Sequence, residues 1–235
     1  MSPGSQVKFT GETLRRWMAL YTESIRESEQ LLTDLDAAIG DGDHGANMRR
    51  GTTAVAQKLD SLVLADLSGQ MRVISTALMS SVGGAAGPLY GAFFLQFSHA
   101  AVHKPELGLS ELTVALEAGL RGVVQLGKAA VGDKTMVDTL TAALGSLHAS
   151  STRFESMPDA LKTARQVARQ AAEGTIPMVA RKGRASYIGE RSAGTQDPGA
   201  TSAALLFESL SQSILLTSFK PRPAASQRLQ PSILP

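Results

Sequence analysis

Three carboxylates, Asp36, Asp41 and Asp43, stand within eight residues in the run Asp36-Ala-Ala-Ile-Gly-Asp41-Gly-Asp43-His44-Gly-Ala-Asn47. Like charges this close repel unless a cation offsets them. Carboxylate, amide and water oxygens suit hard ions, so Mg²⁺ or Ca²⁺ fits better than zinc. The plainer alternative is a solvated acidic turn, where Asp and Gly also abound. A calcium EF-hand is disfavoured. With its frame started at Asp41, Gly45 occupies a ligand position and Thr52 stands where the closing Glu is required. A site this poor in protein ligands suits Mg²⁺ whose octahedron is completed by phosphates and waters.

Three further glycine-rich stretches each precede a helix-like segment: Ser80-Ser-Val-Gly-Gly-Ala-Ala-Gly-Pro88, Gly127-Lys-Ala-Ala-Val-Gly-Asp-Lys-Thr135, and Gly183 through Gly199. Pro88 and Pro198 fall where proline is favoured, in a first helical turn, and Asp133 and Asp197 are expected N-caps. Each loop can aim backbone N–H groups and the positive end of a helix dipole at an anion. Neither G-x-x-x-x-G-K-[ST] nor a strand-borne G-x-G-x-x-G is present. Any one of these loops could be a helix cap, but four of them beside carboxylates and cations favour a phosphate ligand.

The elements that must position these loops read as helices. Thr10 can cap a segment in which Leu14, Trp17, Met18, Tyr21, Ile25, Leu32 and Leu35 recur at helical spacing. Further helices are expected over about 45–60, 67–82, 88–103, 109–126, 134–150, 156–182 and 198–217, eight in all, with boundaries good to ~2–4 residues. No comparable alternating run for a strand occurs, and Gly40, Gly51 and Gly145 are local costs to helix.

Taken in order, Leu35-Asp-Ala-Ala-Ile-Gly-Asp-Gly-Asp-His-Gly-Ala-Asn-Met48, Ser80–Pro88, Gly132-Asp-Lys-Thr-Met136, Arg181–Arg191 and Gln196-Asp-Pro-Gly-Ala-Thr201 resemble the nucleotide-binding L subunit of dihydroxyacetone kinases, over roughly residues 9–217. The resemblance implies an all-α, single-domain barrel of eight antiparallel helices, with ADP or ATP and two Mg²⁺ ions held by loops at one end. It implies Asp36, Asp41 and Asp43 as metal ligands. It implies nucleotide contacts at His44, Gly45, Ala46, Asn47, Ala85, Ala86, Gly127, Met136, Arg184, Asp197, Pro198 and Gly199. Family members often carry serine where Ala86 stands, so a hydroxyl contact is lost here or replaced by backbone.

That resemblance also implies a partner. The family's L subunit passes a phosphoryl group to dihydroxyacetone held on a K subunit, and a separate L subunit usually retains ADP, recharged by the M subunit of the phosphoenolpyruvate phosphotransferase system. An L subunit of an ATP-dependent dihydroxyacetone or erythrulose kinase is the nearest alternative. A non-catalytic module that binds another protein, such as a transcriptional regulator, according to nucleotide occupancy is the alternative from another class. Arg184 is the expected catalytic group, since its planar fork matches phosphate oxygens. His44 is expected to hydrogen-bond phosphate rather than transfer protons.

Composition bounds these readings. The 235 residues, 43% hydrophobic, suffice for one large core. A net charge of +2 and 5% aromatics argue against nucleic acid. No run of about 18 apolar residues occurs for a membrane span, the start lacks an apolar leader, and there is no cysteine, so a cytoplasmic protein is expected. No acid follows Glu208, and four of the ten prolines lie within 221–235, so a flexible basic tail is expected over 218–235, with residues 1–8 as an N-terminal extension. His99 and His103 have zinc-compatible spacing but lack further ligands, and His148 is expected to be an ordinary surface or packing residue.

Overall fold

A computed structural model describes residues 7–62 and 66–218. In chain order the helices are α1 (Gly11–Glu27), α2 (Glu29–Ile39), α3 (His44–Asp60), α4 (Leu67–Ser81), α5 (Ala86–Ala100), α6 (Leu109–Gly127), α7 (Met136–Thr152) and α8 (Met157–Glu173). A 3₁₀ segment follows over Arg184–Ser192, then α9 (Pro198–Ser218). A two-residue antiparallel bridge pairs β1 (Phe9–Thr10) with β2 (Glu106–Leu107), which tucks Phe9 and Leu107 into the core. The fold is all-α. The expected tail lies outside the described residues, Ser218 apart, as does most of the expected extension.

Helix neighbours form a closed circuit, α1–α3–α4–α5–α6–α7–α8–α9 and back to α1, with α2 set against α3, α9 and the 3₁₀ segment. Amphipathic spacing drives this arrangement, because each helix has one apolar face to remove from water. On α1, Thr10 caps through its hydroxyl to the Thr13 N–H, and Leu14, Trp17, Met18, Tyr21 and Ile25 point inward. Trp17 packs its ring 5.7 Å from that of Phe94 and donates Nε1–H to the Leu206 carbonyl at 2.9 Å, tying α1 to α9. Truncating such a residue to alanine costs about 3–5 kcal/mol.

Two expected helices differ from those observed. The segment expected to run from Thr10 to Leu35 breaks at Ser28, which closes α1 and opens α2 with φ −98° and ψ 6°. Serine carries no strong breaking signal, and Leu32 keeps the apolar spacing across the break, so the sequence reads as continuous. The break frees α2 to carry Asp36 toward the start of α3. The helix expected over 156–182 ends at Glu173. Gly174 and Pro177 are the stop signals that mark this end.

Candidate functional site

The Asp loop is built by one buried side chain. Asp36, in the last turn of α2, accepts through Oδ2 from the N–H groups of Asp43 (2.9 Å) and His44 (3.1 Å). It therefore satisfies the first donors of α3, for which Asp43 makes no side-chain cap. Gly42 turns the loop at φ +73°, a region that glycine enters without steric cost. One carboxylate oxygen from each of Asp36, Asp41 and Asp43 then lies within 4.8 Å of the others. A hard oxygen set of this kind fits Mg²⁺ with its remaining positions left to phosphate and water.

The other loops set further helix starts beside it. Ala85 opens α5 after Gly83 and Gly84, and Gly83 packs so closely on Asn47 of α3 that a Cβ there would lie 2.7 Å from its Oδ1. Thr135, not the expected Asp133, caps α7: its hydroxyl accepts from Val137, while Asp138 accepts from the N–H of Thr135 at 2.8 Å. Asp133 instead accepts from the Ala130 N–H within its own loop. Asp197 caps α9 as expected, through Oδ2 to the Ala200 N–H at 2.6 Å.

These four helix starts, with the end of α6, surround a cavity of 390 Å³. That is the size of a small-ligand site. Of the expected residues, Asp36, Asp41, Asp43, His44, Asn47, Ala85, Ala86, Gly127, Met136, Arg184, Asp197, Pro198 and Gly199 line it. Gly45 and Ala46 do not. Gly45 is pressed against Thr33 and the Glu29 carbonyl of α2, and Ala46 sits on an outer groove beside Arg49 and Arg50. One wall is apolar, formed by Leu89, Val123, Leu126, Met136 and Val137, and so offers a surface for a flat heterocycle.

Beneath the cavity His44 Nε2 meets Ser202 Oγ at 3.0 Å, which in turn meets Tyr90 OH at 2.8 Å. Burial lowers the His44 pKa, against the opposing pull of the nearby Asp36 and Asp43 carboxylates. The same burial pushes Tyr90 up to about 12. Asp197 is pushed up to about 7 by burial, against the opposing Ala200 hydrogen bond and the Lys134 charge. Arg184 reaches across to Asp41 at 3.0 Å, with 64% and 34% of the two side chains exposed. Solvent screens such a pair, so its value lies in placing the guanidinium rather than in stability.

Lys134 is a residue whose role the sequence did not reveal. It lies inside the Gly132–Met136 motif, yet its side chain is fully buried and its ammonium donates to main-chain carbonyls. Burial lowers its pKa, and Asp197 opposes that shift. Ser202 and Tyr90 carried no signal, being a serine and a tyrosine on helical faces. His99 and His103 do not share a helix, because α5 ends at Ala100 and His103 adopts φ +60°. Among the described residues, the three aspartates are the cluster that could hold a metal ion. His148 pairs with Glu117 on the surface at 3.1 Å.

The domain is all-helical, and its helix starts and carboxylates face one small-ligand cavity, an arrangement that suits an anion together with a hard metal ion. The model of the DAK2 domain matches residues 38–212, and the chain belongs to that family. It is 44% identical over 194 residues to the PEP-dependent dihydroxyacetone kinase, ADP-binding subunit DhaL, of Escherichia coli, covering 83% of this chain and 92% of that one. A PTS-dependent ADP-binding subunit DhaL from Lactococcus lactis is 41% identical, with 86% and 96% covered. The L-erythrulose 1-kinase of Mycolicibacterium smegmatis is 37% identical, with 79% of this chain but 33% of that chain covered. Among solved structures, the dihydroxyacetone kinase of C. freundii in complex with AMP-PNP and Mg²⁺ superposes with a TM-score of 0.69 at 28% identity, covering 90% of this chain and 36% of that one. No helix among the described residues is long and apolar enough to cross a membrane.

Proposed function

We propose that this chain is the ADP-binding subunit of a phosphoenolpyruvate-dependent dihydroxyacetone kinase, which passes a phosphoryl group to dihydroxyacetone held on a separate K subunit. The observation that carries the reading is the convergence of four helix starts and the Asp36, Asp41 and Asp43 carboxylates on one cavity of 390 Å³. The relatives that it spans almost end to end are named as ADP-binding subunits, and the erythrulose kinase is a chain of which it spans a third. The nucleotide unit runs over residues 9–217, and the protein works in the cytoplasm with an M subunit of the phosphotransferase system.

The three carboxylates would hold two Mg²⁺ ions, which when bound would supply charge neutralisation at the phosphates. The free N–H groups at the starts of α3, α5, α7 and α9 receive phosphate oxygens, as helix N-termini do for anions. Met136 and the apolar wall take the adenine ring. His44, hydrogen-bonded to Ser202, orients a phosphate oxygen rather than shuttling a proton. Arg184 leaves Asp41 to stabilise charge that develops on the transferring group. At Ala86 the peptide N–H stands in for the serine hydroxyl of other members.

The test is reconstitution. With a K subunit and dihydroxyacetone, the chain loaded with ATP should deliver about one phosphoryl group per site, and sustained turnover should need phosphoenolpyruvate with the phosphotransferase components. Rapid multiple turnover from free ATP would assign it to the ATP-dependent kinases of dihydroxyacetone or erythrulose. Nucleotide binding with no transfer to either ketose would leave a nucleotide-dependent module that binds a regulator.

A further inference from the structure

Lys134 stands in a glycine loop, ahead of a threonine and a helix, where a lysine in other sites reaches phosphate directly. Here its Nζ donates to the carbonyls of Thr195 (2.6 Å), Thr175 (2.9 Å) and Met178 (3.1 Å), with that of Ile176 at 3.4 Å. An ammonium has three hydrogens, so these carbonyls use them all and leave none for a ligand.

The four carbonyls belong to the two roots of one segment. Residues 175, 176 and 178 follow the end of α8, and Thr195 precedes α9. Between the roots, Lys182, Gly183 and Arg184 line the cavity. The middle of the segment has little apolar support of its own, a small cluster of Ala180, Ala185 and Ile188 on Ile39. Its backbone is tied back at few points, among them Arg181 N–H to Asp133 O at 3.1 Å and Gly194 N–H to Ile176 O at 2.8 Å. Lys134 itself adopts φ +61°, a left-handed conformation that is costly for a residue with a Cβ and persists where the surroundings over-determine it.

We propose that Lys134 is a positioning residue for phosphoryl transfer: one buried ammonium staples both roots of the segment between α8 and α9, and so holds Arg184 at the cavity. The functional part of this proposal rests on the Mg²⁺-nucleotide reading of the cavity, whereas the staple itself does not. Removing the ammonium strands buried carbonyls without donors, and the segment opens to let water reach them.

Arg181, Lys182, Arg184 and Arg191 are trypsin sites within the segment. In nucleotide-free protein, Lys134→Met should raise the rate of tryptic cleavage over 181–191 at least tenfold while the remaining helices stay resistant. In loaded protein it should speed ADP dissociation at least tenfold and lower kcat with Arg184 intact. The chain has no cysteine, and the Ile176 and Thr195 carbonyls accept from the same ammonium, so a disulfide between Ile176→Cys and Thr195→Cys, its formation verified by thiol titration, would link the two roots in its place. Oxidation of that pair in the Lys134→Met background should restore both protease protection and slow ADP release. Protection restored without slow release would mean that Lys134 acts on the nucleotide itself, and would overturn the proposal. So would equal cleavage of wild type and variant. Should Lys134→Met fail to fold, Lys134→Gln, with two donors left, should give intermediate cleavage, and wild-type cleavage by that variant overturns the staple. If wild type binds no nucleotide, the site reading fails and the cleavage comparison still decides the staple.

Discussion

The Asp loop between α2 and α3 and the segment between α8 and α9 meet at the same cavity, where Arg184 touches Asp41, but they are fixed in opposite ways. The Asp loop is closed by its own Asp36, whose N–H donors lie seven and eight residues on. The later segment is held by Lys134, from 41 to 61 residues earlier in the chain. A carboxylate cluster can thus be written locally, because its members and its scaffold are the same few residues. The arginine sits on a segment that must be delivered across the fold, with both roots bonded to the distant Lys134.

The largest effect should come from the local half. Replacing Asp41 and Asp43 together by Asn should weaken Mg²⁺-dependent ADP binding at least a thousandfold, about 4 kcal/mol, in titration calorimetry. The domain should stay folded, since the two N–H groups that shape the loop are accepted by Asp36. Unchanged affinity would remove the metal role from the Asp loop.

Next in size is a pH effect on the delivered half. Asp197 titrates at about 7 in the fold against an ordinary 3.8, so between those values the folded state holds a proton that the unfolded state has lost. Its contribution to stability is therefore complete below the lower value and is lost as pH rises through the upper one, at about 1.4 kcal/mol for each unit of displacement. Asp197→Asn should flatten this fall. Denaturation midpoints from pH 4 to 8 measure the difference, and parallel curves for wild type and variant would contradict it.

Arg184→Ala should reduce phosphoryl transfer about a hundredfold, near 2.7 kcal/mol, a loss typical of one missing charge-stabilising donor. Because its ion pair is exposed to solvent, Tm should barely move. A large drop in Tm with transfer unchanged would make Arg184 structural. The smallest effect is one of sign. Helix propensity alone favours Ala over Gly at Gly51 by about 1 kcal/mol, but an added Cβ would overlap the Val82 side chain. Gly51→Ala should therefore lower stability by about 1 kcal/mol in urea denaturation, and a gain would show that Val82 can move aside.

What the sequence made legible follows the same division. The Asp trio, the glycine loops and the caps at Thr10 and Asp197 act over short spans, and their residue types announce them. The helices over α3, α4, α6 and α9 follow from apolar spacing for the same reason. The break at Ser28 was not legible, because it is made by where α2 packs and not by the serine. Neither was the staple: nothing in Gly132-Asp-Lys-Thr tells a ligand-facing lysine from one that faces carbonyls folded back from residues 175–195. Gly45 and Ala46 enter the expected site through the family motif; the turn of α3 sets the Cα of Gly45 against α2 and the side chain of Ala46 on the outer face, which leaves their backbone N–H groups as what they offer the site.

The central claim is that these loops make one Mg²⁺-dependent nucleotide site. Titration of nucleotide-free protein with ADP, with and without Mg²⁺, tests it most directly. The account predicts one ADP per chain, tight with Mg²⁺ and weakened at least a hundredfold after chelation with EDTA. Absence of binding, or binding indifferent to Mg²⁺, would contradict it.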